Sequence, residues 1–417
     1  MPPPYGGIPK VSLLYARTWK KMGHEVAVTF VYRPENADDH GANAQYFFEY
    51  DSKPTKLKKA WFLIRYFFTN PALYFKLYKK YYAIFPKLSK ETILYSAYGV
   101  YMDGVIAEFK PDIILCQAAL IKAFMVSELA HIRKIPVVYN TYAEVHDLRM
   151  GVNKNLDEAG RTKYWNYFMN LPQLIIGMDN CSRGPLTYLP PEKVKVFYDT
   201  CDFTTYQMKM DETKEQLRDS LGLPHDQFLV GMVGAFHARK GHDHLIKAIG
   251  ILKKQGHNIG AVICGGTRNA EEDLKKWRAV AAEEGVEDRV YFFSNFGELQ
   301  LARLHRGNDA YANLSNSPRS CGLDLALLEA MSSALPIVVY DNGALPTAVP
   351  EGKNGYVVPT SDVPAVADAI LKLFRKTPEE RKDMGNASKA IASKCDLNLT
   401  SEIKIGWFKE VIAAYKK

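Results

Sequence analysis

Short apolar runs separated by helical patterns recur twice along this chain, and that alternation restricts it to few folds. In the first half, residues 10–22 predict a helix, and 25–32 predict a strand after a stop at Gly23. Residues 112–116, 136–139 and 174–178 follow as further strands. In the second half, Phe228–Val233, 260–264, 290–293, 310–314 and 336–339 repeat the rhythm. Apolar strands alternating with helices pair in parallel and are covered by those helices on both faces. At 417 residues the chain is long for one core, so the expectation is α/β, with two doubly wound parallel-sheet domains of about 200 residues each.

The composition, 47% hydrophobic and 24% charged, is that of an ordinary globular protein. Six cysteines occur without a Cys-x2-Cys spacing, which indicates neither a zinc site nor a disulfide framework. Free thiols in a reducing cytoplasm are the simplest reading. No apolar run reaches the roughly 18 residues of a spanning helix, and the start carries no signal-peptide pattern.

The net charge of +8 is unevenly spread. Residues 53–90 hold Lys53, Lys56, Lys58, Lys59, Arg65, Lys76, Lys79, Lys80, Lys87 and Lys90 with no Asp or Glu, interleaved with Trp61, Phe62, Tyr66, Phe67, Phe68, Tyr74, Phe75 and Tyr81. Such a pattern fits an interfacial helix pair on an anionic membrane. It equally fits aromatics in a core with lysines as their solvated face. A nucleic-acid backbone finds no support elsewhere in the chain.

Three stretches carry candidate chemistry. Gly231–Gly241 (GMVGAFHARKG) follows the strand Phe228–Val233 and opens a helix. Glycines at such a turn let backbone amides approach phosphate oxygens at a helix N-terminus, and Lys240, with Arg239 beside it, adds a cation. Cys264-Gly265-Gly266 makes a second tight turn. Between Ser320 and Pro359, Cys321-Gly322-Leu323-Asp324 precedes a helix bearing Glu329, seated by Leu327, Leu328 and Met331, and a strand ending in Asp341-Asn342-Gly343. A carboxylate on a rigid helix beside such a crevice can accept two hydrogen bonds from a ribose diol.

Leu328-Glu329-Ala330-Met331, the strand Ala334-Leu335-Pro336-Ile337-Val338 and the loops Asp341-Asn342-Gly343-Ala344-Leu345-Pro346 and Gly352-Lys353-Asn354-Gly355-Tyr356-Val357-Val358-Pro359 together resemble the donor site of retaining glycosyltransferases of family 4. The resemblance implies the GT-B fold, two Rossmann-like domains facing a cleft. It implies domains at 1–205 and 206–396, with a helix at 397–417 returning to the first. It further implies a hexosyltransferase acting on a nucleoside diphosphate sugar, with a lipid-linked or polysaccharide acceptor, no cofactor and no metal. The scattered thiols and the basic, aromatic stretch 53–90 add the expectation of a cytoplasmic place on the inner face of a membrane.

The resemblance assigns Lys240 to the diphosphate, Glu329 to the ribose, and Gly6, Gly7, Gly234, Gly265, Cys321, Gly322 and Leu323 to donor binding. His146, four residues beyond the strict position at Tyr142, is the candidate donor-sugar contact. The pattern departs from the family at two places. The first Glu of the Glu-x7-Glu pair is missing, with Cys321 or Arg319 at its position and Asp324 the nearest acid. Ala235 stands where the family has Arg. These departures favour an alternative, a catalytically degenerate GT-B protein that binds nucleotide or glycan. Pro2-Pro3-Pro4-Tyr5-Gly6-Gly7 resembles the loop after the family's first strand, yet no strand precedes it, as expected if the chain begins downstream of a longer start.

Overall fold

The computed structural model describes residues 7–416 except 31–45, 51–52, 54, 85–88, 118–120, 142–157, 178–185, 188, 198–199, 208–210, 267–269 and 317–322. The chain divides into two compact units, one of Ile8–Phe197 with Ser401–Lys417, the other of Tyr198–Thr400.

In the first unit, helix α1 (Gly7–Lys21) leads to a short parallel pair, β1 (Thr29–Phe30) and β2 (Tyr46–Phe47). Helices α2 (Lys56–Thr69), α3 (Pro71–Ile84) and α4 (Ser89–Phe109) follow. A four-stranded parallel sheet then forms in the order β3 (Ile114–Gln117), β4 (Val137–Thr141), β5 (Leu174–Gly177), β6 (Val194–Val196). Every residue of β4 and β5 is buried, as a sheet covered on both faces requires. The terminal helix Leu397–Tyr415 packs on this unit from Ser401 onward, through Phe408 edge-on to Trp19 at 5.5 Å and Trp407 edge-on to Phe197 at 5.1 Å.

The second unit is a six-stranded parallel sheet in the order β12-β11-β10-β7-β8-β9. Its strands are β7 (Phe228–Val233), β8 (Ile259–Gly265), β9 (Val290–Ser294), β10 (Ala310–Asn313), β11 (Ile337–Tyr340) and β12 (Gly355–Val358). The chain winds outward from β7 through β8 to β9, then returns to β10 and winds the other way. β7 and β10 are therefore neighbours at the topological switch point, where open α/β sheets hold their ligands beyond the carboxyl ends of the strands.

The amino end of β7 is fixed by a buried ion cluster. Arg218 donates to Asp309 at 2.7 Å and to the carbonyls of Gly307, Pro224, His225 and Gln227, while Asp309 also accepts from the Leu229 amide at 2.7 Å. Above the sheet, Leu245, Ile249, Leu252, Trp277, Val366 and Ile370 close the core. Burying each such side chain contributes about 1.5–3 kcal/mol.

Two strands come from segments with weak strand signals. Gly355–Val358, which carries part of a glycine-rich loop pattern, is the edge strand β12, paired from Ile337↔Gly355 to Tyr340↔Val358. A Cβ on Gly355 would lie 1.9 Å from the Ile337 carbonyl oxygen, so the glycine there serves close strand approach. Val194–Val196, with Lys195 between two valines, is the other.

Candidate functional site

The loop after β7 is held from three sides. The Gly234 amide donates to the Cys264 carbonyl at 3.0 Å, the Lys240 amide to the His237 carbonyl at 2.8 Å, and the Asn316 amide to the Arg239 carbonyl at 3.0 Å. Gly241, at φ 76°, turns the chain into the helix His242–Lys254. Any side chain there would meet the Leu314 carbonyl oxygen at 2.3 Å. Gly265 is equally constrained: a Cβ would lie 2.6 Å from the Gly234 carbonyl oxygen and 2.7 Å from the Phe236 ring. The stem of Lys240 lies against Gly234, whose added Cβ would be 3.6 Å from it.

Lys240 Nζ reaches Asp324 Oδ2 at 2.5 Å, and the same carboxylate accepts from Asn313 Nδ2 at 3.1 Å and Ser315 Oγ at 3.3 Å. Lys240 follows β7, Asn313 ends β10, and Asp324 precedes the helix Leu325–Ser332. The pair therefore sits at the switch point. Burial alone would raise the Asp324 pKa, but the Lys240 charge and hydrogen bond, with those of Asn313 and Ser315, hold it below the usual carboxylate range. Both side chains remain about a quarter exposed (24% and 27%), which leaves Lys240 open to an anionic competitor.

Glu329 is buried at 2% exposed on the helix Leu325–Ser332, whereas most glutamates are solvated. Its neighbours feel the charge. Burial and then Glu329, which is also its hydrogen-bond partner, push the Tyr206 hydroxyl up. Burial pushes the Cys264 thiol up to about 12, with Glu329 adding to it, so this cysteine stays protonated and is no nucleophile. Leu323 is buried in the same cluster as Leu327 and Leu328.

His242, fully buried, stands beneath the loop with its ring 5.2 Å from Trp277 and 5.6 Å from Phe236. Burial, then the nearby Lys240 charge, lowers its pKa to about 4. The imidazole is thus neutral, a packed support for the loop that carries Lys240.

The structure therefore brings Lys240, Asp324 and Gly234 together and places Gly265 at the adjoining turn. Arg239 is exposed beside them. Gly7 is the first residue of α1. Gly6, His146, Cys321 and Gly322 lie outside the described residues. Among the described residues no group of three or more His, Cys, Asp or Glu is placed to hold a metal ion.

Sequence reasoning passed over Asn313, Ser315, Tyr206 and His242. Asn313 and Ser315 stand two apart at a strand end, the spacing that aims both side chains to one face, and that signal was readable. The burial of His242 and the Tyr206–Glu329 contact depend on tertiary packing.

The arrangement is a cation and helix N-terminus at a switch point, next to a buried carboxylate. Residues 213–391 match the family model for glycosyl transferases group 1. That match covers Lys240, Asn313, Asp324 and Glu329 but begins after Tyr206. An inositol-phosphate enzyme, D-inositol 3-phosphate glycosyltransferase of Corynebacterium glutamicum (strain R), is 31% identical over 186 residues, 44% of this chain and 44% of the relative. The chain thus spans less than half the length of this curated relative.

Solved structures agree over nearly the whole length. A glycosyltransferase from Rickettsia africae ESF-5 superposes with TM-score 0.74 at 13% identity, covering 98% of this chain and 95% of that one. Anabaena Alr3699/HepE, solved with UDP and glucose, superposes with TM-score 0.69 at 17% identity, covering 97% and 96%. With two parallel-sheet α/β units, the chain has the GT-B fold.

Proposed function

We propose that this chain is a retaining, metal-independent glycosyltransferase that moves a hexose from a nucleoside diphosphate sugar to a lipid-linked or polysaccharide hydroxyl. The observation that carries the reading is the Lys240–Asp324 pair at the β7/β10 switch point, inside the group 1 match. An anion arriving there meets Lys240, the amides of the glycine loop and the N-terminus of the helix His242–Lys254. Preorganised donors aimed at charge that develops on a leaving diphosphate are usually the largest catalytic contribution. In this reading Lys240 exchanges its partner from Asp324 to the diphosphate, and exposed Arg239 adds a second cation.

Glu329 accepts from the ribose hydroxyls, Tyr206 holding it in place. The backbone at Gly234, Gly265 and Leu323 shapes the donor side, with Gly6, Gly7, Cys321 and Gly322 completing it and His146 contacting the donor sugar. The acceptor hydroxyl attacks on the face the diphosphate leaves, which gives retention without a protein nucleophile.

A second reading has two observations behind it. Ala235, exposed at the loop, supplies no charge, and Lys240 is already neutralised by Asp324; a binding-only GT-B protein would tolerate both. Turnover separates the two. The chain is incubated with a panel of nucleotide sugars, with and without lipid-linked and glycan acceptors, in EDTA, and nucleoside diphosphate release is measured. The proposal expects acceptor-dependent release and a product that keeps the donor's anomeric configuration by NMR. Binding without release from any donor would overturn it in favour of the binding-only protein.

A further inference from the structure

Residues 53–90 carry ten basic side chains and no acidic one, and the structure sorts their aromatic neighbours onto two faces. On α2, Phe62, Leu63 and Tyr66 are buried, whereas Leu57 (79%), Trp61 (67%), Ile64 (42%) and Phe68 (70%) are exposed. Their spacing of four, three and four residues puts the exposed set within an arc of about 60°, opposite the buried set. Exposed Lys56 borders the stripe on one side, and exposed Lys58 and Arg65 on the other. On α3, Phe75 (52%) and Tyr82 (46%) are exposed beside exposed Lys76 and Lys79, while Tyr74, Leu77 and Tyr81 point inward.

The hairpin is held firmly. Phe67 stacks edge-on to Phe75 at 5.4 Å, joining the two helices. Lys80 forms an ion pair with Glu128 and a 3.1 Å hydrogen bond with the Tyr167 hydroxyl. The core and the outward apolar stripe are therefore separate faces of one fixed element.

We propose that α2 and α3 dock this protein on an anionic lipid bilayer, with Leu57, Trp61, Ile64 and Phe68 in the boundary between headgroups and acyl chains. Charge selects this occupant. An apolar stripe bordered by cations and free of acids complements lipid phosphates, while a second copy of the chain would set the same cations against each other. The inference goes beyond glycosyl transfer, and it stands or fails independently of donor binding.

The test is sedimentation of the full chain with vesicles of phosphatidylcholine alone or with roughly a third phosphatidylglycerol. Trp61 fluorescence provides a second readout, read as the difference from Trp61→Phe, because Trp19, Trp165 and Trp277 are buried and Trp407 is half-buried. The expected result is binding to the anionic vesicles only, weakened by salt, with a blue shift that Trp61→Phe removes. The triple change Leu57→Ser, Trp61→Ser, Phe68→Ser should lower binding at least about tenfold while circular dichroism and thermal unfolding stay as in the parent. Failure to bind anionic vesicles, or binding unaffected by the triple change, would overturn the proposal. So would a concentration-dependent dimer abolished by the triple change, which would assign the face to a second copy.

Discussion

Lys240 Nζ and Asp324 Oδ2 stand 2.5 Å apart across the ends of β7 and β10, so the main cation of the glycine loop already has a carboxylate partner. A diphosphate must compete with that partner. Lys240→Ala should weaken nucleoside diphosphate binding by about 1.5–3 kcal/mol, the range for a hydrogen bond to a charged group. Asp324→Asn should do the reverse, tightening it by about 1 kcal/mol because Lys240 is no longer shared. Calorimetry on both variants checks the pair, and weaker binding in Asp324→Asn would place this carboxylate among the ligand contacts instead.

His242 predicts how stability depends on pH. Its folded pKa is depressed to about 4 from an unfolded value near 6.5, so between these values the unfolded chain binds the extra proton. The resulting stability is fully present above about pH 6.5 and is lost as pH falls toward 4, by roughly 3 kcal/mol in all. Thermal melts from pH 7.5 to 4.5 should show this slope, and His242→Phe should flatten it. Asp324, held below the usual carboxylate range, adds its own loss only below about pH 4, where the unfolded chain takes up that proton first.

Gly265→Ala should cost about 1–3 kcal/mol by overpacking, since the new methyl would meet the Gly234 carbonyl oxygen and the Phe236 ring. The displaced loop carries Lys240, so nucleotide affinity should fall together with the melting temperature. A lower melting temperature with unchanged affinity would uncouple the turn from the site.

Asp309→Ala leaves Arg218 buried without its carboxylate and removes the acceptor for the Leu229 amide. Breaking a buried pair from one side costs about 3–5 kcal/mol. Urea unfolding should register a loss of that size, and a loss below about 1 kcal/mol would class the cluster with surface ion pairs.

What could be read in advance followed the strength of local signals. Phe228–Val233 is six residues of which five are apolar and one is glycine, and its bounds agree with β7. β12 was hidden because Gly352, Asn354 and Gly355 read as turn chemistry. The helical period separating buried Phe62, Leu63 and Tyr66 from exposed Leu57, Trp61, Ile64 and Phe68 on α2 was present in the letters of residues 53–90. The burial of Glu329 was less accessible, since only its apolar neighbours hinted at it, and the hydroxyl that partners it comes from Tyr206, 123 positions earlier (329 − 206). Local patterns place helices and strands, while the partners of a buried charge are set by the assembled sheet.

The central claim is that the second unit holds a nucleoside diphosphate with Glu329 on its ribose. Calorimetric titration with UDP, GDP and ADP, wild type against Glu329→Ala, tests it most directly. The account predicts selective binding of one nucleotide, weakened by roughly 1–3 kcal/mol in the variant at an unchanged far-ultraviolet circular dichroism spectrum. Equal affinity in wild type and variant, or no binding of any of the three, would contradict it.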